Sequence, residues 1–202
     1  MQKTNYQLMT DAVIDSLSGV KKSLLLHACC APCATYVLEY LSKFFDITLF
    51  FCNPNITNPD EYKKRLEQLY KLCGTADFCQ NVKIVEDTVQ AEEYFKAVRE
   101  YANEREGGKR CSVCFALRMD RTARYAAENG FDYFATTLTV SPHKNAQIIN
   151  DIGFAAQELY GVEYLPSDFK KRDGFKRSIV LSEKYGLYRQ QYCGCVYSEQ
   201  NG

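Results

Sequence analysis

Ser23-Leu24-Leu25-Leu26-His27-Ala28-Cys29-Cys30-Ala31-Pro32-Cys33 is the stretch from which the fold is read. Its first part, Ser23 to His27, is a short apolar run of the kind found in strands buried on both faces of a parallel sheet. Three cysteines follow at once. Pro32 suits the first turn of a helix, where its missing N–H is no loss. Val37, Leu38, Leu41, Phe44 and Phe45 then recur at helical spacing, and residues 47–52 (ITLFFC) read as a second strand. Strand, cysteine loop, helix and strand form one parallel unit.

The same alternation continues outward. An amphipathic stretch precedes the first strand. Asn58-Pro59-Asp60-Glu61 predicts a helix start, with a capping Asn, Pro at the first position and Glu three residues after the cap; that helix runs to about Cys73. Residues 82–85 read as a third strand and residues 92–104 as a helix. Gly107-Gly108 breaks that helix before another over residues 111–129. Residues 132–138 (DYFATTL) read as a fourth strand, and a helix capped at Ser141-Pro142 follows to about Tyr160. Residues 162–165 form a fifth short strand, and a last helix spans about Arg177 to Lys184, ended by Gly186. The expectation is one α/β domain over residues 1–202, with a mostly parallel four- or five-stranded sheet flanked by helices in a Rossmann-like or HUP-like arrangement. In such sheets ligands bind outside the carboxyl ends of the strands. The cysteine loop after strand one and the segment Thr139-Val140-Ser141-Pro142-His143-Lys144-Asn145 after strand four therefore face one site.

The composition is that of a soluble globular protein, with 46% hydrophobic and 25% charged residues. No segment approaches the roughly 18 uninterrupted apolar residues of a membrane span, and MQKTNYQLMTDAV lacks the apolar run of a secretory signal. A cytoplasmic setting is expected, where clustered cysteines read as metal-binding or catalytic rather than as a secreted disulfide scaffold. Lys plus Arg equals Asp plus Glu at 25 each, so global charge names no partner. Locally, Lys170, Lys171, Arg172, Lys176 and Arg177 crowd together with Asp173 as the only acid among them, and Lys109, Arg110, Arg118, Arg121 and Arg124 bracket a cysteine pair. Patches of this kind can neutralise phosphates, and either can also be a solvated face.

Ten cysteines carry the chemistry, and seven fall into three groups: Cys29, Cys30 and Cys33; Cys111 and Cys114; Cys193 and Cys195. Thiolates select zinc, copper(I) or iron–sulfur clusters. One tetrahedral zinc needs about four ligands, so seven thiols favour an iron–sulfur cluster plus a second metal, or a cluster plus reactive thiols. The first group lies at a helix N-terminus, whose partial positive charge favours thiolate. Rival readings are a thioredoxin-like pair of Cys30 with Cys33, which leaves the other groups without a role, and a set of buried structural thiols. Cys52, Cys73 and Cys79 have no close partner in sequence and read as small buried hydrophobes.

Other residues join these groups. At 100° per residue, Cys111, Cys114, Arg118, Arg121 and Tyr125 share one helix face. The arginines there would stabilise an anionic cluster or hold a substrate phosphate. Metal ligation by Cys193 and Cys195 would fold the C-terminal tail back onto the site. Tyr188, Tyr192 and Tyr197 beside it are packing residues, hydrogen-bond partners or a proton source. His27 is a proton donor, a group that orients a ligand, or a satisfied core histidine. His143 sits in a loop that resembles an anion-binding helix N-terminus. Neither G-x-G-x-x-G nor G-x-x-x-x-G-K-[ST] occurs, so no motif supports a nicotinamide or ATP site.

Taken together, these motifs resemble a known family. His27-Ala28-Cys29-Cys30-Ala31-Pro32-Cys33 is similar to the N-terminal signature of the QueH epoxyqueuosine reductases. Asn53-Pro54-Asn55-Ile56 with Glu61, Tyr62 and Arg65 is similar to the next block. Cys111-x-x-Cys114, Thr137 to Asn145, and Phe169 to Cys195 complete the match in order. The resemblance implies two-electron removal of the epoxide oxygen of epoxyqueuosine at the tRNA wobble position. It further implies a [4Fe–4S] cluster, an additional mononuclear iron and an external electron donor. Some members carry aspartate where this chain has Cys33, which implies that Cys33 serves the lone iron; the partition of the other thiols stays open. His27, Tyr192 or a metal-bound water would protonate the leaving oxygen. Arg118, Arg121, His143, Lys144, Lys171, Lys176 and Arg177 would hold the anticodon stem-loop, whose modified base leaves the stack. Two alternatives remain: a zinc-stabilised RNA-binding module without catalysis, and another iron–sulfur tRNA-modifying enzyme such as a thiolation enzyme, which would prefer an ATP loop.

Overall fold

The strand read at Ser23–His27 is the centre of the sheet. The computed structural model describes residues 4–88 and 90–199. In chain order the elements are α1 (Tyr6–Ser16), β1 (Lys22–His27), α2 (Ala31–Leu41), β2 (Phe45–Phe51), α3 (Pro59–Thr75), β3 (Lys83–Glu86), α4 (Ala91–Val98), α5 (Lys109–Glu128), β4 (Tyr133–Thr136), α6 (Ala146–Tyr160), β5 (Glu163–Tyr164), α7 (Gly174–Lys184) and α8 (Val196–Glu199). The five strands lie in the order β3-β2-β1-β4-β5, and every pairing is parallel. This is the doubly wound α/β architecture expected from the sequence.

The apolar run of β1 is continuous because both faces of the strand are covered. Leu24 and Leu26 pack on one face with Val37, Leu38 and Leu41 of α2 and Leu69 and Leu72 of α3. Leu25 points the other way, to Met119, Ala123 and Ala126 of α5 and Ala156 of α6. All three leucines are fully buried, and each such side chain stabilises the fold by about 1.5–3 kcal/mol.

The caps explain where the helices begin. Asn58 Oδ1 accepts from the backbone N–H groups of Asp60 at 2.9 Å and Glu61 at 3.2 Å, so α3 starts at Pro59 as its sequence predicts. The helix expected from Ser141-Pro142 instead starts at Ala146. Asn145 caps it, accepting from Gln147 N at 2.9 Å and Ile148 N at 3.4 Å. Ser141 Oγ takes the N–H of His143 at 3.3 Å, which makes residues 141–144 a turn. The last long helix begins at Gly174, three residues before the expected Arg177. The helix after β3 stops at Val98 and continues only as a 3-10 turn over Arg99–Tyr101.

The chain reverses sheet direction between β1 and β4: the connections from β1 lead to β2 and β3, whereas β4 leads to β5. The crevice at the carboxyl ends of these two strands is the usual ligand position.

Candidate metal centre

Two groups of thiols meet at this crevice. The first leaves β1. Cys30 occupies the N-cap position of α2 in extended conformation, and its side chain makes no capping bond, so the sulfur is not spent on the helix. The sulfurs of Cys29, Cys30 and Cys33 all lie within 4.8 Å of one another. Cys29 Sγ is 3.7 Å from Cys30 Sγ and 3.9 Å from Thr137 Oγ1. Gln190 Nε2 donates to Cys30 Sγ at 2.8 Å. Hydrogen bonds from Cys30 and Cys33 lower the Cys29 pKa well below the usual thiol value despite burial, helped by Lys144 and Arg118. The hydrogen bond to Cys29 and burial in turn push Cys30 up to about 12. Three sulfurs so close can all be thiolates only beside a cation.

The second group joins two distant segments. Cys111 and Cys114 lie in the first turns of α5, and Cys193 and Cys195 precede α8. All four line one small cavity, together with Tyr94 and Arg110. Burial raises the pKa of Cys111 and pushes Cys114 up to about 12. Arg110 is buried beside them and donates to the carbonyl oxygens of Ala102, at 2.9 Å, and Glu104, which ties the turn after α4 to the start of α5.

The C-terminal thiols are held from α3. Arg65 is 2% exposed and pairs with Glu61 one turn earlier, Nε to Oε1, at 2.6 Å. Its other nitrogens donate to the carbonyl oxygens of Cys193 at 3.0 Å and Tyr192 at 3.2 Å. Gly194 has φ +105, and a Cβ there would stand 3.0 Å from both Arg65 Nη1 and Ile56 Cγ1. Both the backbone angle and the close guanidinium require glycine between the two cysteines.

An open cavity of about 650 Å³ joins the groups, with Cys29, Cys33 and Cys193 in its wall. Arg118, His143, Lys144 and Tyr192 from the sequence reading also line it. Burial opposes a charge on Lys144, but the sulfurs of Cys193, Cys29 and Cys33 outweigh it and its pKa is raised. Arg118 is 1% exposed; Nη1 donates to Asn53 Oδ1 at 3.3 Å and Nε to the Cys114 carbonyl at 3.4 Å.

The remaining expected residues are placed elsewhere. His27 is fully buried between strands, with Nδ1 2.9 Å from Thr136 Oγ1 and Nε2 3.1 Å from the Cys52 carbonyl. Desolvation, then the nearby Arg118 charge, lower its pKa to about 3, so the ring is neutral and spans loops rather than facing the cavity. Arg121 pairs with both oxygens of Asp87 and, at 3.4 Å, with Glu93. Lys176 pairs with Asp173 at 2.9 Å and Arg177 with Glu39 at 2.5 Å, while Lys171 is exposed. Only Phe175 and Ser178 carry α7 into the cavity wall.

Sequence reasoning placed Arg110 in a basic patch and Asn53 in a family-like block without a role at the site, and it did not single out Gln190. Asn53 links three loops, donating to the Ala28 carbonyl at 2.9 Å while accepting from Arg118. No local pattern marks these contacts. The Glu61–Arg65 pair has a local signal, opposite charges four residues apart on a helix.

Comparison with known proteins supplies an independent reading. A family model described as Epoxyqueuosine reductase QueH matches residues 24–201. The protein of that name from Streptococcus pyogenes serotype M1 is 48% identical over 201 residues, covering 98% of this chain and 79% of the relative. Its counterpart from Staphylococcus aureus is 43% identical over 212 aligned residues, covering 98% and 85%. A more distant one from Thermotoga maritima is 38% identical over 180, covering 87% and 90%.

Proposed function

The chain belongs to the epoxyqueuosine reductase QueH family, and from that premise we propose how its thiols and charges divide the work of the reaction. The enzyme is an oxidoreductase of tRNA modification that converts epoxyqueuosine to queuosine. Two electrons and two protons are consumed, the epoxide becomes an alkene, and its oxygen leaves as water.

Cys111, Cys114, Cys193 and Cys195 hold a [4Fe–4S] cluster, and Cys29, Cys30 and Cys33 hold a single iron. The observation that carries this partition is that four sulfurs line one small cavity while the other three cluster within 4.8 Å of one another. The donor set fits: four thiols suit a [4Fe–4S] cluster, and buried thiols with raised pKa values need a cation to become thiolates. When bound, the cluster supplies electrons singly and the iron polarises the epoxide oxygen.

The protein's own residues do the rest. Arg65 and Glu61 fix the carbonyls on either side of Cys193 and thereby close the C-terminal tail over the site. Gln190 donates to Cys30 and fixes the orientation of that sulfur. Pro32, Val140 and Phe175 give the cavity an apolar wall that limits water around the flipped base. Tyr192 lines the same cavity and is the proton source for the leaving oxygen. His143 and Lys144 at the cavity, with exposed Lys171 beyond it, receive phosphates of the anticodon stem-loop. An external donor in the cytoplasm replenishes the electrons.

The test is anaerobic purification followed by iron, acid-labile sulfide and zinc analysis. About five irons with about four sulfides per chain are expected, with turnover of tRNA carrying epoxyqueuosine. One zinc without sulfide, and tRNA binding indifferent to the modification, would instead mark an RNA-binding module.

A further inference from the structure

Arg118 is a permanent charge, 1% exposed, in a position where none of its hydrogen-bond acceptors is charged. Its bonds go to the amide oxygen of Asn53 and the carbonyl of Cys114. Its Nη2 is buried and without a hydrogen-bond partner among the described residues. Of the other buried arginines, Arg65 is neutralised by Glu61. Arg110 shares the lack of a carboxylate partner and has a buried Nε without a hydrogen-bond partner among the described residues. It bonds main-chain carbonyls of the turn after α4, but it lines only the smaller cavity and not the one that holds Cys29 and Cys33. A buried guanidinium without a counter-charge would cost several kcal/mol. The guanidinium meets the cysteines on two sides: its Nε donates to the Cys114 carbonyl, and it lines the cavity that holds Cys29, Cys33 and Cys193. Cys29 and Cys33 belong to one thiol group and Cys114 and Cys193 to the other, so the guanidinium stands between the two.

We propose that Arg118 is a positioning residue for electron transfer, a fixed positive charge between the two thiol groups that raises the reduction potential of the cluster at Cys111, Cys114, Cys193 and Cys195. The inference rests on the assignment of that cluster. One-electron reduction adds a negative charge to a centre already surrounded by thiolates. A neighbouring cation stabilises the reduced form more than the oxidised form, and in a desolvated site the effect is weakly screened. At 1% exposure Arg118 is turned toward the thiols rather than toward bulk solvent, which favours this role over holding a phosphate of the tRNA backbone.

The test is a redox titration of the full chain with its cluster in place, followed by the electron paramagnetic resonance signal of the reduced form. Arg118→Gln should shift the midpoint to more negative potential, and Arg118→Lys, which keeps the charge, should restore most of the shift. An intact cluster in Arg118→Gln with the wild-type midpoint would overturn the proposal. Should that variant not fold, Asn53→Asp places a carboxylate on the guanidinium and must also lower the midpoint; an unchanged value there overturns it equally. A wild-type protein that assembles no cluster would sink the underlying assignment, a result distinct from either.

Discussion

Arg65 Nη1 donates to the main-chain carbonyl of Cys193 at 3.0 Å, and this bond sets the position of two thiols from a helix far away in sequence. A second nitrogen of the same guanidinium holds the Tyr192 carbonyl at 3.2 Å, so the segment carrying Cys193 and Cys195 is tied down at two adjacent peptides. Arg65→Ala is expected to release it and to leave Glu61 buried without its partner, at a cost of about 3–5 kcal/mol. Gly194→Ala should have the milder form of the same defect, because its φ is unfavourable for alanine and the guanidinium must move. Both variants should contain less iron and sulfide, and limited proteolysis should cut near the C-terminus. Full metal content in Arg65→Ala would show that the cysteines find their places without the clamp.

The partition of thiols makes separable predictions. Cys114→Ala should lose acid-labile sulfide and most iron but keep the single iron. Cys30→Ala should lose about one iron and retain sulfide, as one cluster plus one iron requires. Both should be inactive. Loss of sulfide in Cys30→Ala would mean that the two groups share the cluster.

The three-layer fold was legible because β1 centres on the apolar run Leu24-Leu25-Leu26 just before a cysteine–proline helix start, and because Asn58-Pro59 begins α3 with a strong cap. Ser141-Pro142 misled because a serine before a proline also caps helices, whereas here Asn145 wins with two amide bonds. The helical phase of α5 placed Arg118 and Arg121 on one side. What separates them comes from other elements: Asp87 after β3 takes Arg121, and Asn53 after β2 takes Arg118. Long-range pairings of this sort leave no local periodicity. The division of the seven thiols into three and four is of the same kind, set by where the tail returns.

The position of His27 predicts a structural role. Its two nitrogens join Thr136 Oγ1 and the Cys52 carbonyl in the dry interior of the sheet. His27→Leu would remove both bonds, leaving Thr136 Oγ1 with only the N–H of Leu138 at 3.1 Å, and should cost about 1–3 kcal/mol, read as a lower urea midpoint. Activity per bound cluster should stay within a few-fold of wild type. A loss of a hundredfold or more in folded, loaded enzyme would instead make His27 the proton donor.

The clamp between α2 and α7 gives a pH dependence. Arg177 hydrogen-bonds Glu39 and holds its carboxyl below the ordinary value of 4.5. A carboxyl depressed in the folded state contributes stability that is present above its unfolded pKa and disappears as pH falls through the folded one. Because the pair is partly exposed, the contribution is at most about 1 kcal/mol. Glu39→Gln should therefore lower the denaturant midpoint at neutral pH and converge on wild type once the pH has fallen below the depressed pKa of that carboxyl. A constant gap between the two proteins across that range would show that the ion pair is not its source.

Lys144 and Arg121 should separate binding from stability. Lys144 lines the cavity and has no ion pair among the described residues, whereas Arg121 is already committed to Asp87 and Glu93. Each phosphate neutralised by a lysine adds about one to the slope of log affinity against log salt. Lys144→Ala should weaken binding of the anticodon stem-loop and reduce that slope by about one, with little change in the urea midpoint. Arg121→Ala should leave the slope unchanged and lower the midpoint, because Asp87 is left largely buried without its partner. The reverse pattern would move the tRNA surface from the cavity mouth to the outer face of α5.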